Sequence, residues 1–332
     1  MVVGACIFGC TGFKLSKTEF DFFKRSQPWG FILFLRNIES KAQVKRLTKE
    51  LRESVGRNAP ILIDQEGGRV QRMRSPEWRE YLPALRQVKE AGSFASRAMY
   101  LRSRLIASEL NEIGIDVNCA PVADLLKPNT HPILADRCYG ETVEDVVKIC
   151  RAVAAGLLDG GVLPVVKHIP GYGRAVVDGH ERLPIVRESL EILNGTDFLS
   201  FKLLADLPIS MTAHISYISI DDIPATVSEK MLYLIRNDLG YKNLIITDDI
   251  SMGALEGSIF ERSKCSIDAG CDIVLHCNGN VKEMRDVANA SGQLTLQGEE
   301  RSQFALDQRR APKKENIEEL EYELFKLMPG TN

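Results

Sequence analysis

Read from its N-terminus, the chain alternates short runs of Val, Ile and Leu with longer stretches in which apolar residues recur every three or four positions. The short runs are 2–9 (VVGACIFG), 29–36 (WGFILFLR), 60–66 (PILIDQE), 115–124 (IDVNCAPVAD), 162–170 (VLPVVKHIP), 207–214 (LPISMTAH), 244–251 (LIITDDIS) and 271–277 (CDIVLHC). They lack a clean polar–apolar alternation, which is how parallel strands buried on both faces read. Helices are predicted between them. One covers 39–55 and starts at a Ser40-to-Gln43 capping box. Another covers about 95–113, with Leu101, Leu105, Ile106, Leu110 and Ile113 on one face and Gly114 placed to close it in a left-handed turn. A third starts near Thr142 with Asp145 three residues on, and others fit 17–26, 189–206, 228–240, 259–269 and 281–293.

Eight strands alternating with eight helices, joined by right-handed crossovers, predict an α/β fold of the (β/α)8 TIM-type barrel class. An open doubly wound sheet is the alternative. It asks for a Gly-rich phosphate turn after the first strand, and CTGFKLSK (10–17) does not fit G-x-G-x-x-G. A single catalytic domain is expected over residues 1–294. Residues 295–332 read as a polar C-terminal extension ending in a helix-like IEELEYELFKLM, to which the sequence assigns no role.

Composition changes this picture little. The chain has 332 residues, 44% hydrophobic and 26% charged, with a formal charge of −3. That balance gives no reason to expect a nucleic-acid partner. The eight cysteines (Cys6, Cys10, Cys119, Cys138, Cys150, Cys265, Cys271 and Cys277) show no C-x-x-C spacing and read as buried free thiols in a reducing compartment. The opening MVVGACIFGC superficially resembles a lipoprotein cleavage box, but no basic residue precedes it and its apolar stretch is too short for a signal peptide. A first buried strand is the better reading. No run approaches the roughly 20 apolar residues of a membrane span. A cytoplasmic protein is therefore expected, monomeric, with no membrane partner.

Barrel enzymes carry their chemistry where strands leave the C-terminal rim. Here Asp64 ends the third strand, Asp124 the fourth, Lys167 and His168 the fifth, His214 the sixth, Asp248 and Asp249 the seventh, and His276 the eighth. Of the five histidines, only His131 is less clearly placed. One rim acid is ordinarily a helix cap or an ion-pair partner; acids, bases or cations at six consecutive strand ends predict an active site there. The densest stretch is KHIPGYGRAVVDGHERLP (167–184). Within it, Asp178 lies two residues from His180, close enough for the carboxylate to accept the ring N–H and fix the tautomer. Spacing alone leaves a plain surface Asp–His pair equally open. In LIITDDISMGAL (244–255) an apolar strand delivers two adjacent carboxylates. One is expected to face the barrel axis and the other to cap a helix or bind a neighbour. Such groups suit a retaining glycosidase, and equally a metal site.

The motifs IDQEGGRVQR (63–72), ADRCYG (135–140), KHIPGYG…DGHERLP (167–184), MTAH (211–214) and TDDISMGA (247–254) resemble, in order, those of the bacterial β-N-acetylglucosaminidases of glycoside hydrolase family 3, NagZ type. The resemblance runs from about residue 5 to about 280. It implies a cytoplasmic barrel hydrolase without a cofactor or metal. It further implies release of N-acetylglucosamine β-1,4-linked to anhydro-N-acetylmuramic acid, with or without peptide, in cell-wall recycling. By motif it implies Asp248 as nucleophile, His180 as general acid/base and Asp178 as its orienting partner. Asp64, Arg72, Arg137, Lys167 and His168 are implied as sugar-binding residues. Three positions depart from the pattern: Tyr172 stands where a histidine is usual, Gly179 where serine is common, and His276 where an aliphatic or small residue is frequent. Lone His276 reads as a packing residue and His214 as a hydrogen-bonding support. The alternatives are a metal-dependent amidohydrolase on the same barrel, drawing on His168, His180, His214, His276 and Asp248, an N-acetylglucosaminide phosphorylase, and a sugar-binding barrel without catalysis.

Overall fold

The structure is a computed structural model and describes residues 2–328. Eight parallel strands close into a barrel: β1 (Gly4–Gly9), β2 (Pro28–Leu33), β3 (Ile61–Ile63), β4 (Val117–Asn118), β5 (Leu163–Ile169), β6 (Ile209–Thr212), β7 (Leu244–Asp249) and β8 (Ile273–His276). Each pairs with its sequence neighbour, and β8 closes on β1 through Cys6↔Val274 and Phe8↔His276. The helices, in order, are α1 (Lys17–Ser26), α2 (Lys41–Val55), α3 (Ala84–Ala91), α4 (Ala95–Glu112), α5 (Pro132–Ala135), α6 (Val143–Asp159), α7 (Leu190–Gly195), α8 (Asp197–Lys202), α9 (Glu229–Asn237), α10 (Ile259–Ala269), α11 (Val281–Ser291), α12 (Leu296–Asp307) and α13 (Ile317–Leu327).

Alternation along the strands sorts side chains into two cores. Ala5, Ile7, Leu62, Val117, Leu163, Val165, Ile209, Met211, Leu244, Ile246, Ile273 and Leu275 fill the barrel interior. The intervening residues, such as Cys6, Phe8, Ile61, Ile63, Ile245 and Val274, pack against the helices. The same parity carries Asp64, one step beyond Ile63, and Asp248, two beyond Ile246, onto the interior side at the C-terminal mouth.

Local signals explain most helix starts. Ser40 accepts the Gln43 N–H, but Gln43 returns its side-chain oxygen to the Glu39 N–H, so the expected reciprocal box is displaced by one residue. Thr142 accepts from the Asp145 N–H, and Gly114 takes φ +80 behind α4. The helix expected over 189–206 is broken at Thr196 (φ −134, ψ −98). There the buried Asp197 is held by the Arg174 guanidinium at 2.7 Å, which starts a second short helix instead. The run 115–124 contributes only Val117–Asn118 as regular strand, since Pro121 has no N–H for the ladder.

The segment after 294, polar in sequence, runs across the N-terminal end of the barrel. Leu294 and Ala305 join the interior core, and Ser302 receives the Trp29 indole N–H at 2.6 Å. Helix α13 lies on α4, tied to it by an Arg97–Glu323 pair and to the loop before α3 by an Arg79–Glu321 pair, both at 2.7 Å. No helix among the described residues is long and apolar enough to cross a membrane.

Candidate active site

The segment after β3 folds back on itself as a short antiparallel ribbon, residues 65–67 against 70–71. Its turn uses Gly67 (φ +103) and Gly68 (φ +58), conformations that L side chains rarely adopt. Inside the ribbon, the fully buried Gln65 amide accepts the Arg72 and Met73 N–H groups at 2.9 and 3.1 Å and donates to the Met73 carbonyl at 3.0 Å. This clip brings Arg72 beside Asp64, where its Nη2 donates to Oδ2 at 3.0 Å. The Arg72 Nε is buried with no partner among the described residues.

Lys167, at the end of β5, reaches Asp64 Oδ1 at 2.9 Å and Glu66 at 2.6 Å, with its side chain 2% exposed. Arg137 grips the other side of Glu66 with two 2.9 Å bonds. Three cations therefore surround two carboxylates. Burial raises both acids, but the Lys167 and Arg72 charges outweigh it and hold Asp64 far below the usual carboxylate range. Arg137 and Lys167 likewise bring Glu66 down to about 2. Each carboxylate oxygen has more than one lone pair, so Asp64 keeps capacity for substrate hydroxyls beside its cation partners.

His168 follows Lys167 across a cis peptide bond and joins the same wall. Its Nδ1 lies 2.7 Å from Asp124 Oδ2, and Arg137 Nη2 lies 3.4 Å from its Nε2. A ring donating from Nδ1 to the carboxylate leaves Nε2 to accept from the guanidinium. Asp124, wholly buried, also accepts the backbone N–H groups of His168 at 3.3 Å and Tyr172 at 2.7 Å.

Across the opening stand Asp248 and His180. Asp248 Oδ1 accepts the Asp249 N–H at 2.8 Å, and that is the carboxylate's one hydrogen bond among the described residues. Asp249 is anchored instead. Ser251 donates to it from N and Oγ at 3.1 and 2.8 Å, and the Cys277 N–H reaches it at 3.2 Å. Both adjacent acids are partly buried and line the cavity, but neighbours bind both oxygens of Asp249 and only one of Asp248 among the described residues. His180, its side chain 70% exposed, points Nδ1 at Asp178 Oδ1, 2.8 Å away. Burial raises the Asp178 carboxyl, but the His180 backbone N–H and imidazole overcome this and hold it below its ordinary value. With Nδ1 so engaged, Nε2 is the nitrogen free to exchange a proton.

Asp64, Arg72, Arg137, Lys167, His168, His180 and Asp248 all line one cavity of about 260 Å³. Asp178 stands behind His180. The remaining histidines do not converge on it. His214 bridges Thr226 Oγ1 (2.8 Å) and the Asp249 carbonyl (2.9 Å), and burial pushes its pKa down, which suits the neutral ring. His276 is buried against Phe8 and meets Glu283 at 2.9 Å. His131 caps α5. Among the described residues, no three His, Cys, Asp or Glu side chains are grouped as a metal would need. Sequence reading singled out neither Glu66 nor Phe34. Glu66, buried between Lys167 and Arg137, was signalled by the second acid of IDQEGG. Phe34, a cavity residue that lies under the Arg36 and Arg72 guanidinium groups at 4.9 and 5.3 Å, carried no signal beyond an aromatic at a strand end.

Comparison with known proteins agrees with this architecture. The family model described as the glycosyl hydrolase family 3 N terminal domain matches residues 8–308. A protein named beta-hexosaminidase from Alkalilimnicola ehrlichii is 37% identical over 287 residues, 84% of this chain and 82% of its own length. A beta-hexosaminidase from Neisseria meningitidis serogroup C is 36% identical over 285 residues, 83% of this chain and 78% of its own. Among solved structures, NagZ from Neisseria gonorrhoeae in complex with N-trifluoroacetyl-D-glucosamine superposes with a TM-score of 0.87 at 28% identity, covering 99% of both chains. With one sequence model spanning most of the barrel and relatives at this identity over most of both chains, the protein belongs to glycosyl hydrolase family 3 and is a glycoside hydrolase.

Proposed function

We propose that this glycoside hydrolase is a retaining exo-β-N-acetylhexosaminidase of the cytoplasm. Its substrates are peptidoglycan fragments in cell-wall recycling, from which it removes terminal N-acetylglucosamine linked to anhydro-N-acetylmuramic acid, with or without peptide. The relatives' printed names and the five ordered motifs support the substrate class. One observation carries the mechanism: a partly buried carboxylate with one oxygen unpartnered among the described residues (Asp248) shares its cavity with an imidazole whose other nitrogen is fixed on a carboxylate (His180 on Asp178).

In the first step an Asp248 oxygen bonds to the anomeric carbon as the glycosidic C–O bond breaks. The His180 Nε2 proton passes to the departing oxygen. In the second, neutral His180 takes a proton from water, whose oxygen bonds to the same carbon as the ester to Asp248 breaks. Two inversions give net retention. Asp64, Arg72, Lys167, Arg137 and His168 form the wall that binds sugar oxygens, and the Glu66 carboxylate keeps the cations in register.

Hydrolysis of 4-nitrophenyl N-acetyl-β-glucosaminide, followed by NMR with and without inorganic phosphate, tests this. The expected first product is the β-anomer of N-acetylglucosamine, at a rate indifferent to phosphate and to chelators. A first-formed α-anomer would exclude retention, and a sugar 1-phosphate would assign transfer to phosphate.

A further inference from the structure

The segment bearing His180 is held at three points. The Gly179 carbonyl accepts the Ala254 N–H at 3.0 Å, and the His180 carbonyl accepts the Gly253 N–H at 3.2 Å. Both donors lie in the turn that follows Asp248 and Asp249. The third point is a side chain: the buried Tyr172 hydroxyl accepts the Gly179 N–H at 2.8 Å. Gly179 is buried there, and its φ is not in the left-handed region. Backbone conformation therefore does not require glycine at this position, but space does. A Cβ on residue 179 would fall well inside contact distance of the Tyr172 hydroxyl, with Met252 Cε at 3.3 Å on another side. The Tyr172 backbone is fixed in turn, since its N–H donates to Asp124 Oδ1 and Asp124 Oδ2 meets His168. A continuous chain thus runs from His168 through Asp124, Tyr172 and Gly179 to His180.

We propose that the Tyr172 hydroxyl and the bare Gly179 are a matched latch that positions the proton-donating imidazole over the cavity. Tyr172 is a positioning residue: it acts on the reaction through the backbone of residues 179 and 180. The pairing also ties His180 to the same buried carboxylate that orients His168, so the two histidines on either side of the cavity share one anchor.

This rests on the reading of His180 as general acid, and the test separates the two claims. Leaving groups that need protonation feel a misplaced acid, whereas a 2,4-dinitrophenolate departs without one. The quantity read is kcat/KM, which reports only through glycosyl transfer to the enzyme, on di-N-acetylchitobiose and on the 2,4-dinitrophenyl glycoside. Gly179→Ala is expected to lose roughly 100-fold on the disaccharide and about 3-fold or less on the activated glycoside, within the range that general acids contribute. Tyr172→Phe, which removes one hydrogen bond, is expected to lose about 10-fold on the disaccharide alone. Combining Tyr172→Phe with Gly179→Ala removes the colliding oxygen, so the double variant is expected to recover to the Tyr172→Phe level. Equal losses on both substrates, or a double variant no better than Gly179→Ala, would overturn the latch. His180→Ala on the same pair of substrates reads the underlying assignment. If it shows the leaving-group dependence while Gly179→Ala does not, the latch fails alone; if it shows none, the assignment of the acid fails first.

Discussion

Both ends of the barrel carry aspartates at strand ends beside arginines, but the two sets are matched to different degrees. At the N-terminal end, Asp116 precedes β4 and Asp272 precedes β8, four strands apart. Each accepts the backbone N–H of the strand before it, Ile61 for Asp116 at 2.7 Å and Ile245 for Asp272 at 2.8 Å. A helix arginine reaches each one, Arg52 of α2 at 3.3 Å and Arg236 of α9 at 2.7 Å. A second arginine comes from the segment that crosses this end, Arg309 just beyond α12 at 2.8 Å and Arg301 of α12 at 2.7 Å. The arrangement is nearly repeated across the barrel, and every carboxylate oxygen is matched. At the C-terminal end, Asp64, Glu66, Asp124 and Asp249 are matched as fully, but Asp248 has a single backbone N–H. An acid at a strand end is therefore not by itself a sign of chemistry. The sign is one poorly matched carboxylate at the cavity in the midst of satisfied ones.

Asp248 separates the two ends most sharply. Asp248→Asn is expected to cut turnover by ~10³-fold or more, as for a member of a catalytic unit, with the thermal midpoint unchanged. Near-full activity on an aryl N-acetylglucosaminide would place Asp248 with the structural acids. Asp178→Asn is expected to cost roughly 10²-fold in kcat, because the imidazolium loses its partner and the ring its fixed tautomer. Activity equal to the parent enzyme would reduce the Asp178–His180 contact to a surface pair.

The opposite outcome is expected at the other end. Asp272→Ala strands two arginines and a strand N–H, and should lower unfolding free energy by about 3 kcal/mol, the order seen when one partner of a buried ion pair is removed. The kcat/KM of the folded fraction should stay within about 2-fold, since no group near the cavity has moved. Urea unfolding and steady-state kinetics on the same preparation read both quantities. A fall in kcat/KM without a fall in stability would erase the distinction between the two ends.

The smallest effect concerns pH. Asp64 and Glu66 are held below their ordinary values, so the stability they contribute is present above those values and lost as pH falls through the folded ones. For Glu66 the window runs from 4.5 down to about 2. The stability gap between the parent protein and Glu66→Gln should therefore narrow between pH 5 and pH 3. A gap of constant size would show that Glu66 takes up its proton alike in the folded and unfolded chain, with no lowering in the folded state.

The barrel was legible because strands buried on both faces leave Val-, Ile- and Leu-rich runs that no solvent-exposed element tolerates. Several helices, α1 and α10 among them, were bounded by Ser caps that act within three residues. The rim acids were legible for the same local reason: a strand end fixes where its next residue points. What escaped was long-range. The IDQEGGRVQR motif reads as a strand and its exit, whereas Gln65 folds it into a ribbon that places Arg72 on Asp64. Helix α12 has weak apolar periodicity because its hold on the barrel comes largely through Arg301, Ser302 and Ala305, polar or small residues whose partners lie well outside the helix, 29 positions away for Arg301 and 273 for Ser302. Tyr172 and Gly179 appeared only as two unrelated departures from a motif, since their contact depends on the path of the whole loop.

In the proposed mechanism Asp248, and not one of the satisfied acids around it, attacks the anomeric carbon. Incubation with an activated fluoro-sugar that forms a slowly hydrolysed glycosyl-enzyme, followed by proteolysis and mass spectrometry, tests it most directly. One added sugar per chain is expected, on the carboxylate of Asp248, with activity lost in step. A label on Asp64, Glu66 or Asp249, or full inactivation with Asp248 unmodified, would contradict it.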